Sequence, residues 1–366
     1  MLQCSAAALA ATKETKFILN GIDQLLTNTI HENPTERYAC AKALELAATK
    51  RHFEPVVERF LATTRGKLEK NDSTMMKVIF GSAMTEKENF KCTAFLSTRR
   101  LFDVMVVRGD FKHYLKVTQF LIDANLHAEL STWKAYFEAL SACSRASKAS
   151  GIEFMGRNQT LALLCKDILS HQAYQPLQSQ VLLTLSEMIL STPKLTQTEG
   201  GEIIRFGLSI SGSGSFPSGY LASLTQLFKS CLTLDPCQSN LFNLLMTVHS
   251  WLCSFSRYNR QAGLHIWLSL LTAYVDVKQE GEVFTFTNEL LSTVAVRCAD
   301  SDLVVRRTAL ECTTTLIELN NDKNPITTEL KAKLLSMETE ELYDGVAQLG
   351  VILTDIVEFG FTFATR

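Results

Sequence analysis

The residues best equipped for chemistry are seven histidines and ten cysteines. The histidines stand at 31, 52, 113, 127, 171, 249 and 265; the cysteines at 4, 40, 92, 143, 165, 231, 237, 253, 298 and 312. A local zinc site needs closely spaced ligands, as in CxxC or HExxH, because the metal fixes a small tetrahedron. Neither spacing occurs, nor does HxH. Cys143, with Ser144 beside it, and His171 come nearest to a nucleophile and its base. No known catalytic order accompanies them, and cysteines inside apolar helical runs ordinarily act as small buried side chains. GSGSFPSG, 212–219, lacks the Gly-Lys-Ser/Thr ending that brings a lysine and a hydroxyl onto nucleotide and metal. The carboxylates at Glu86 to Glu88 and Glu338 to Glu341 read as solvated faces or helix starts, not acid–base pairs. The basic groups Lys50-Arg51, Arg99-Arg100 and Arg306-Arg307 are short. No catalytic, cofactor-binding or metal-ligating residue is assigned, and the chain is expected not to be an enzyme.

The composition provides for a packed core. At 366 residues, the chain is long enough for two or three domains or one elongated array. Hydrophobic residues make up 46% and charged residues 20%, enough for a core and too apolar for general disorder. With 17 Gly and 7 Pro, long helices and short turns are favoured over a loop-rich β fold. The formal net charge of −2 argues against a dedicated nucleic-acid or anionic-membrane binder, which carries a basic excess. No apolar run reaches about 18 uncharged residues, so no transmembrane span is expected. The first residues, MLQCSAAALAATKETK, lack the basic flank of a signal peptide. Unpaired cysteines point to a reducing compartment, the cytosol or the nucleus, and the expected location is cytoplasmic.

Helical spacing dominates the pattern. Ile18, Ile22 and Leu25 share a face, as do Ala39, Ala43, Leu46 and Ala47 after the opener Pro34. Val56, Val57, Phe60 and Leu61 form a third stripe. Helices are also expected over a stretch capped by Asn71 to Ser73, Lys91 to Val107, two runs in 113–146, 157–170 and 176–191. SRASKASG, 144–151, reads as a loop. Further helices are expected at Tyr220 to Leu234, Asn240 to Phe255, Arg260 to Val275, Phe284 to Ala299, Leu303 to Leu319, Thr328 to Ser336 and Glu340 to Phe359. Sustained alternation is missing, so almost no sheet is expected. SISGSGSFPSG, 209–219, is flexible and interrupted by Pro217. The expected organisation is an N-terminal helical block at 1–208, a linker or loop at 209–219 and a C-terminal helical block at 220–366.

Three stretches can be overlaid. NPTERYACAKALELAA, SRYNRQAGLHIWLSLL and SDLVVRRTALECTTTL place Arg37, Arg260 and Arg306 ahead of small residues that let helices pack closely. Arg260 and Arg306 are 46 positions apart, within the roughly 40–47-residue period of HEAT and armadillo units. An arginine there is expected to reach a carboxylate in the neighbouring unit. Asp300 and Asp302 ahead of the last copy suit a helix N-terminus. Such units cannot bury their own faces alone and must stack. The expected fold is an all-α, HEAT/armadillo-type α-solenoid of roughly seven to nine helix pairs.

Longer stretches carry a family resemblance. VRCADSDLVVRRTALECTTTLIEL with KAKLLSMETEEL after it, VHSWLCSFSRYNRQAGLHIWLSLL, and ERYACAKALELAATKRHFEPVVERF resemble repeats of the maestro heat-like repeat family. The resemblance implies a cytosolic α-solenoid with no catalytic residues to carry over. Members are usually longer, so a short paralogue, an isoform or part of a longer solenoid is expected. The function expected is a scaffold that binds protein partners through its concave surface, with no cofactor and no nucleic acid. The alternatives are an adaptor in endolysosomal membrane trafficking, associated peripherally through a partner, and, more remotely, an enzyme with an unrecognised site. Arg37, Arg260 and Arg306 are assigned to repeat stacking. Arg307, Trp251 and Trp267 are the candidate partner contacts, although core packing is the default for tryptophans in apolar helical runs.

Overall fold

The computed structural model describes residues 14–27, 33–49, 52–68, 86–125, 130–171, 174–209, 216, 219–278 and 284–320. Among these residues the structure is helical throughout, with no strand. The chain divides into two compact units, Met1–Ile210 and Ser211–Arg366, so the division falls inside the Gly/Ser-rich stretch 209–219. The helix expected behind Asn71 to Ser73 and those expected beyond residue 320 lie outside the described residues.

The first unit holds α1 (Thr15–Thr27), α2 (Pro34–Thr49), α3 (Phe53–Leu68), α4 (Glu86–Arg108), α5 (Tyr114–Asn125), α6 (Trp133–Ser150), α7 (Arg157–Ala162), α8 (Gln175–Ile189) and α9 (Gln197–Ser209). A π-helical stretch, Leu163–Leu169, extends α7. Most helices touch a sequence neighbour, and alternate helices also pack: α2 on α4, α4 on α6 and α6 on α8 in one layer; α1 on α3 and α3 on α5 in the other. This is solenoid-like packing, in which each layer continues by adding the next helix. Small residues make the approach close, with Cys40, Ala43 and Ala47 of α2 and Ala94 of α4 buried. Aromatic rings fill the space between successive helices of each layer. Phe60 meets Phe120 edge-on at 5.8 Å and Phe95 meets Tyr136 at 5.2 Å, a geometry favoured by the ring quadrupoles.

Charged side chains bridge successive helices of a layer. Arg100 pairs with Glu45 at 3.2 Å and Arg99 with Glu138 at 2.5 Å, tying α4 to α2 and to α6. Arg145 of α6 reaches Asp103 of α4 at 3.0 Å and Glu187 of α8 at 3.8 Å. The basic pair Arg99-Arg100 is therefore used within the stack. In the other layer Lys112 and Lys116 pair with Glu54 and Glu58 of α3, at 2.8 and 2.6 Å.

Two local readings in this unit needed correction. The stretch 144–151 is not a loop: α6 runs through it and stops at Gly151, where φ is +70° and the amide donates to the Ser147 carbonyl. Its serines are tolerated because Ser144 Oγ donates to Leu140 O at 2.9 Å and Ser147 Oγ to Ile152 O at 2.7 Å. Helix α9 was not foreseen, since Pro193, Gly200 and Gly201 discourage a helix. Thr196 and Glu199 nonetheless form a capping box. Glu199 Oε2 accepts from Thr196 N at 2.8 Å, and Thr196 Oγ1 from Glu199 N at 3.3 Å.

The second unit holds α10 (Tyr220–Leu234), α11 (Gln238–Thr247), α12 (His249–Leu252), α13 (Arg257–Val275), α14 (Thr287–Ala295) and α15 (Leu303–Asn320). Helices α10, α13 and α15 pack in succession, while α11 and α12 lie against α13 and α14 against α15. The run expected as one helix from Asn240 to Phe255 is broken at Val248 into α11 and α12. Gly263 permits the close approach of α12 to α13: a Cβ there would stand 2.9 Å from Leu252 Cδ2.

Candidate functional site

The arginines marked in the sequence organise one edge of the second unit. Arg260 begins α13 and Arg306 begins α15, and the two make the same local bonds. Arg260 Nη1 donates to the carbonyls of Ser254 and Phe255, at 2.9 and 2.8 Å. Arg306 Nη1 donates to those of Asp300 and Ser301, at 2.7 and 3.4 Å. Each arginine thus ties down the loop six and five residues before it. Arg260 also turns its other side to Asp300, with Nη2 2.9 Å from Oδ1 and Nε 2.7 Å from Oδ2. That is the contact expected between neighbouring units. Arg306 differs: it has no carboxylate partner among the described residues. Arg37, in the first unit, reaches α4 through Asn89 Oδ1 at 2.8 Å.

The aspartates shape the next helix start. Asp300 is buried and also lies 3.4 Å from Arg297 Nη1. Burial alone would raise its carboxyl; the bonds from Arg260, the Asp302 amide and Arg297 outweigh that and hold it below the usual carboxylate range. Asp302 Oδ1 accepts from the amides of Val304 and Val305, at 3.0 and 3.1 Å, and from Gln261 Nε2 at 3.0 Å. It caps α15 and binds that helix start to α13. The same bond from Gln261, with those amide bonds, holds its carboxyl down.

Around this polar frame the edge is apolar on the outside. Phe255 is as exposed as in an extended peptide, at 105%. Tyr258, Leu303, Val304 and Val296 are also exposed. Arg257 lies over the Tyr258 ring, 4.8 Å from its centroid, with Nη2 3.0 Å from the hydroxyl. Arg307 is exposed on the same helix start.

The tryptophans do not serve as surface contacts. Trp267 is fully buried, with Nε1 donating to Leu245 O at 2.9 Å. Trp251 is buried against Phe216, with ring centroids 5.2 Å apart. Both are packed because they fall on the inner stripes of α12 and α13. The exposed aromatics are instead Phe255 and Tyr258, in the loop and first turn between them. Periodicity could not mark Phe255, because it lies outside a helix; its place in the polar stretch SFSRYNR was the available signal.

The thiols are mostly closed to chemistry. Cys143 is fully buried among Tyr114 and Thr118, and burial pushes its thiol up to about 12. His171, its imagined base, is exposed and meets the Tyr174 ring edge-on at 6.3 Å. Burial likewise pushes Cys165 and Cys231 up to about 12, and Cys92 and Cys298 to about 11. Cys253 differs: it is exposed, and its Sγ lies 3.6 Å from His249 Nε2. Among the described residues no group of three or more His, Cys, Asp or Glu side chains could hold a metal ion. No helix of the described residues is long and apolar enough to cross a membrane.

Compared with known proteins, the chain matches no protein-family model, and no curated protein matches it significantly.

Proposed function

We propose that the chain is a non-enzymatic helical-repeat scaffold of HEAT/armadillo type that binds protein partners. The observation that carries this reading is the edge formed by Phe255, Tyr258, Leu303 and Val304. Large apolar groups gathered on a rigid, hydrogen-bonded frame lose little conformational freedom on binding, and they gain by leaving water. Within the second unit the favoured surface is therefore this loop edge rather than the inner face of the stack. The repeat type is supported by two-layer stacking and by the matching bonds of Arg260 and Arg306. The resemblance to maestro heat-like repeats points the same way.

The test is affinity capture with the full chain and with its Phe255→Ser variant, from the same cytosolic extract, read by quantitative mass spectrometry. The reading expects at least one protein recovered by the native chain and lost from the variant. Identical recoveries would remove its support.

A further inference from the structure

We infer that the occupant of this edge is an acidic peptide segment with apolar side chains among its carboxylates. The inference rests on the partner-binding reading and adds the chemistry of the partner. Within 253–261 and 296–307 stand five arginines (257, 260, 297, 306 and 307) and two aspartates (300 and 302), a net of +3 in a chain whose net charge is −2. The edge is thus a local cationic region on an otherwise acidic protein, and it attracts negative charge.

The two aspartates are already engaged. Asp300 is buried between Arg260 and Arg297, and Asp302 is occupied by Gln261 and two backbone amides. Arg306 and Arg257 are in a different position. Arg306 is only partly buried and is held by backbone carbonyls, without a carboxylate among the described residues. It is oriented in advance, as Arg260 is, but no described residue gives it the anion that Arg260 has. Arg257 is exposed and laid flat on Tyr258, so one patch offers a planar guanidinium and an aromatic surface together. That pairing suits a carboxylate flanked by an apolar side chain: the fork takes the carboxylate and the ring takes the neighbour.

Exposed aromatics with arginines also suit an anionic membrane, and the overall charge favours the peptide: at −2 the chain lacks the basic excess of an anionic-membrane binder, while a short acidic segment needs only the cationic edge.

The experiment selects a random display library of peptides roughly four helical turns long against the immobilised full chain. Arg257→Glu and Phe255→Ser serve as variants, each checked by its circular-dichroism melt. Both changes fall on exposed side chains, so the fold should persist. Selected peptides should be rich in Asp or Glu interleaved with Leu or Phe, and should bind Arg257→Glu about tenfold more weakly. Their binding should weaken with salt, as exposed ion pairs do. Neutral or basic selected peptides, equal binding to Arg257→Glu, or no enrichment would overturn the inference. So would sedimentation with phosphatidylserine-containing vesicles that Phe255→Ser abolishes, which would assign the edge to a membrane. If extract capture depends on Phe255 while the selected peptides are not acidic, the partner chemistry fails and the scaffold reading stands. If capture is also independent of Phe255, both fail.

Discussion

Arg260 and Asp300 stand 40 positions apart in sequence and in two-point contact in space, with both ends of the pair buried. The pair couples the start of α13 to the loop before α15. It does so at the position where Arg306 repeats the carbonyl bonds of Arg260. The pair fixes the loop edge from within, so the exposed side chains of that edge can be apolar without collapsing onto the core.

Removing Arg260 should be costly because Asp300 would remain as a buried, unpaired charge. Arg260→Met is expected to lose about 3–5 kcal/mol of stability. Arg306→Met, which gives up only part-buried bonds to carbonyls, should lose about 1 kcal/mol. Urea unfolding followed by circular dichroism measures both. Replacing Arg260 and Asp300 together by leucine should recover part of the loss. Equal losses in the two single variants would show that the inter-helix pair is not what stabilises the stack here.

Acid should remove the stabilisation this pair supplies. The folded Asp300 carboxyl lies below its ordinary value, so the unfolded chain takes up protons first as pH falls. The stabilisation is complete above the usual Asp range, about 3.9, and is lost as pH drops through the lower folded value. Urea midpoints taken downward from pH ~5 should fall less steeply for Asp300→Asn than for the native chain. Parallel slopes would contradict the assignment.

Thiol labelling should separate Cys253 from the buried cysteines. In the native protein Cys253 is expected to react with a maleimide, while Cys40, Cys92, Cys143, Cys165, Cys231, Cys298 and Cys312 react only after unfolding. Peptide mapping of the labelled chain reads the result. Rapid native labelling of Cys143 would mean that the α5–α6 contact opens readily.

Two glycines should respond to alanine in opposite directions. At Gly263 the new Cβ would stand 2.9 Å from Leu252 Cδ2 and 3.3 Å from Trp251 Cβ. Both neighbours are buried, so Gly263→Ala should cost about 1–3 kcal/mol. At Gly66, inside α3, no atom lies within 4 Å of a new Cβ, and Gly66→Ala should stabilise by about 0.4–1 kcal/mol through the unfolded chain. Denaturant midpoints of the two variants on either side of the native value would bear out the close packing of α12 on α13.

The helical frame was legible because its signals are local. Apolar spacing marked α2, α3, α13 and α15, and the repeated arginine marked equivalent helix starts. Serines and glycines misled where tertiary packing overrode propensity: α6 continues through 144–150 because its hydroxyls bond within the protein, and α9 forms despite two glycines. The thiol chemistry imagined at Cys143 was discounted from its helical context, and burial agrees. The edge itself was only half legible. Its arginines were found by spacing, but the apolar contacts were assigned to Trp251 and Trp267, which the stack buries. Whether an aromatic in SFSRYNR faces water depends on how α12 meets α13, and no spacing within that stretch records it.

The most direct measurement compares what the native chain and a Phe255→Ser, Leu303→Ser double variant capture from one extract, with matched melting curves. At least one captured protein should fall about tenfold in the variant, the loss expected when a central contact of about 1.4 kcal/mol is removed. Unchanged recovery of every protein, from a variant as stably folded as the native chain, would contradict partner binding at this edge.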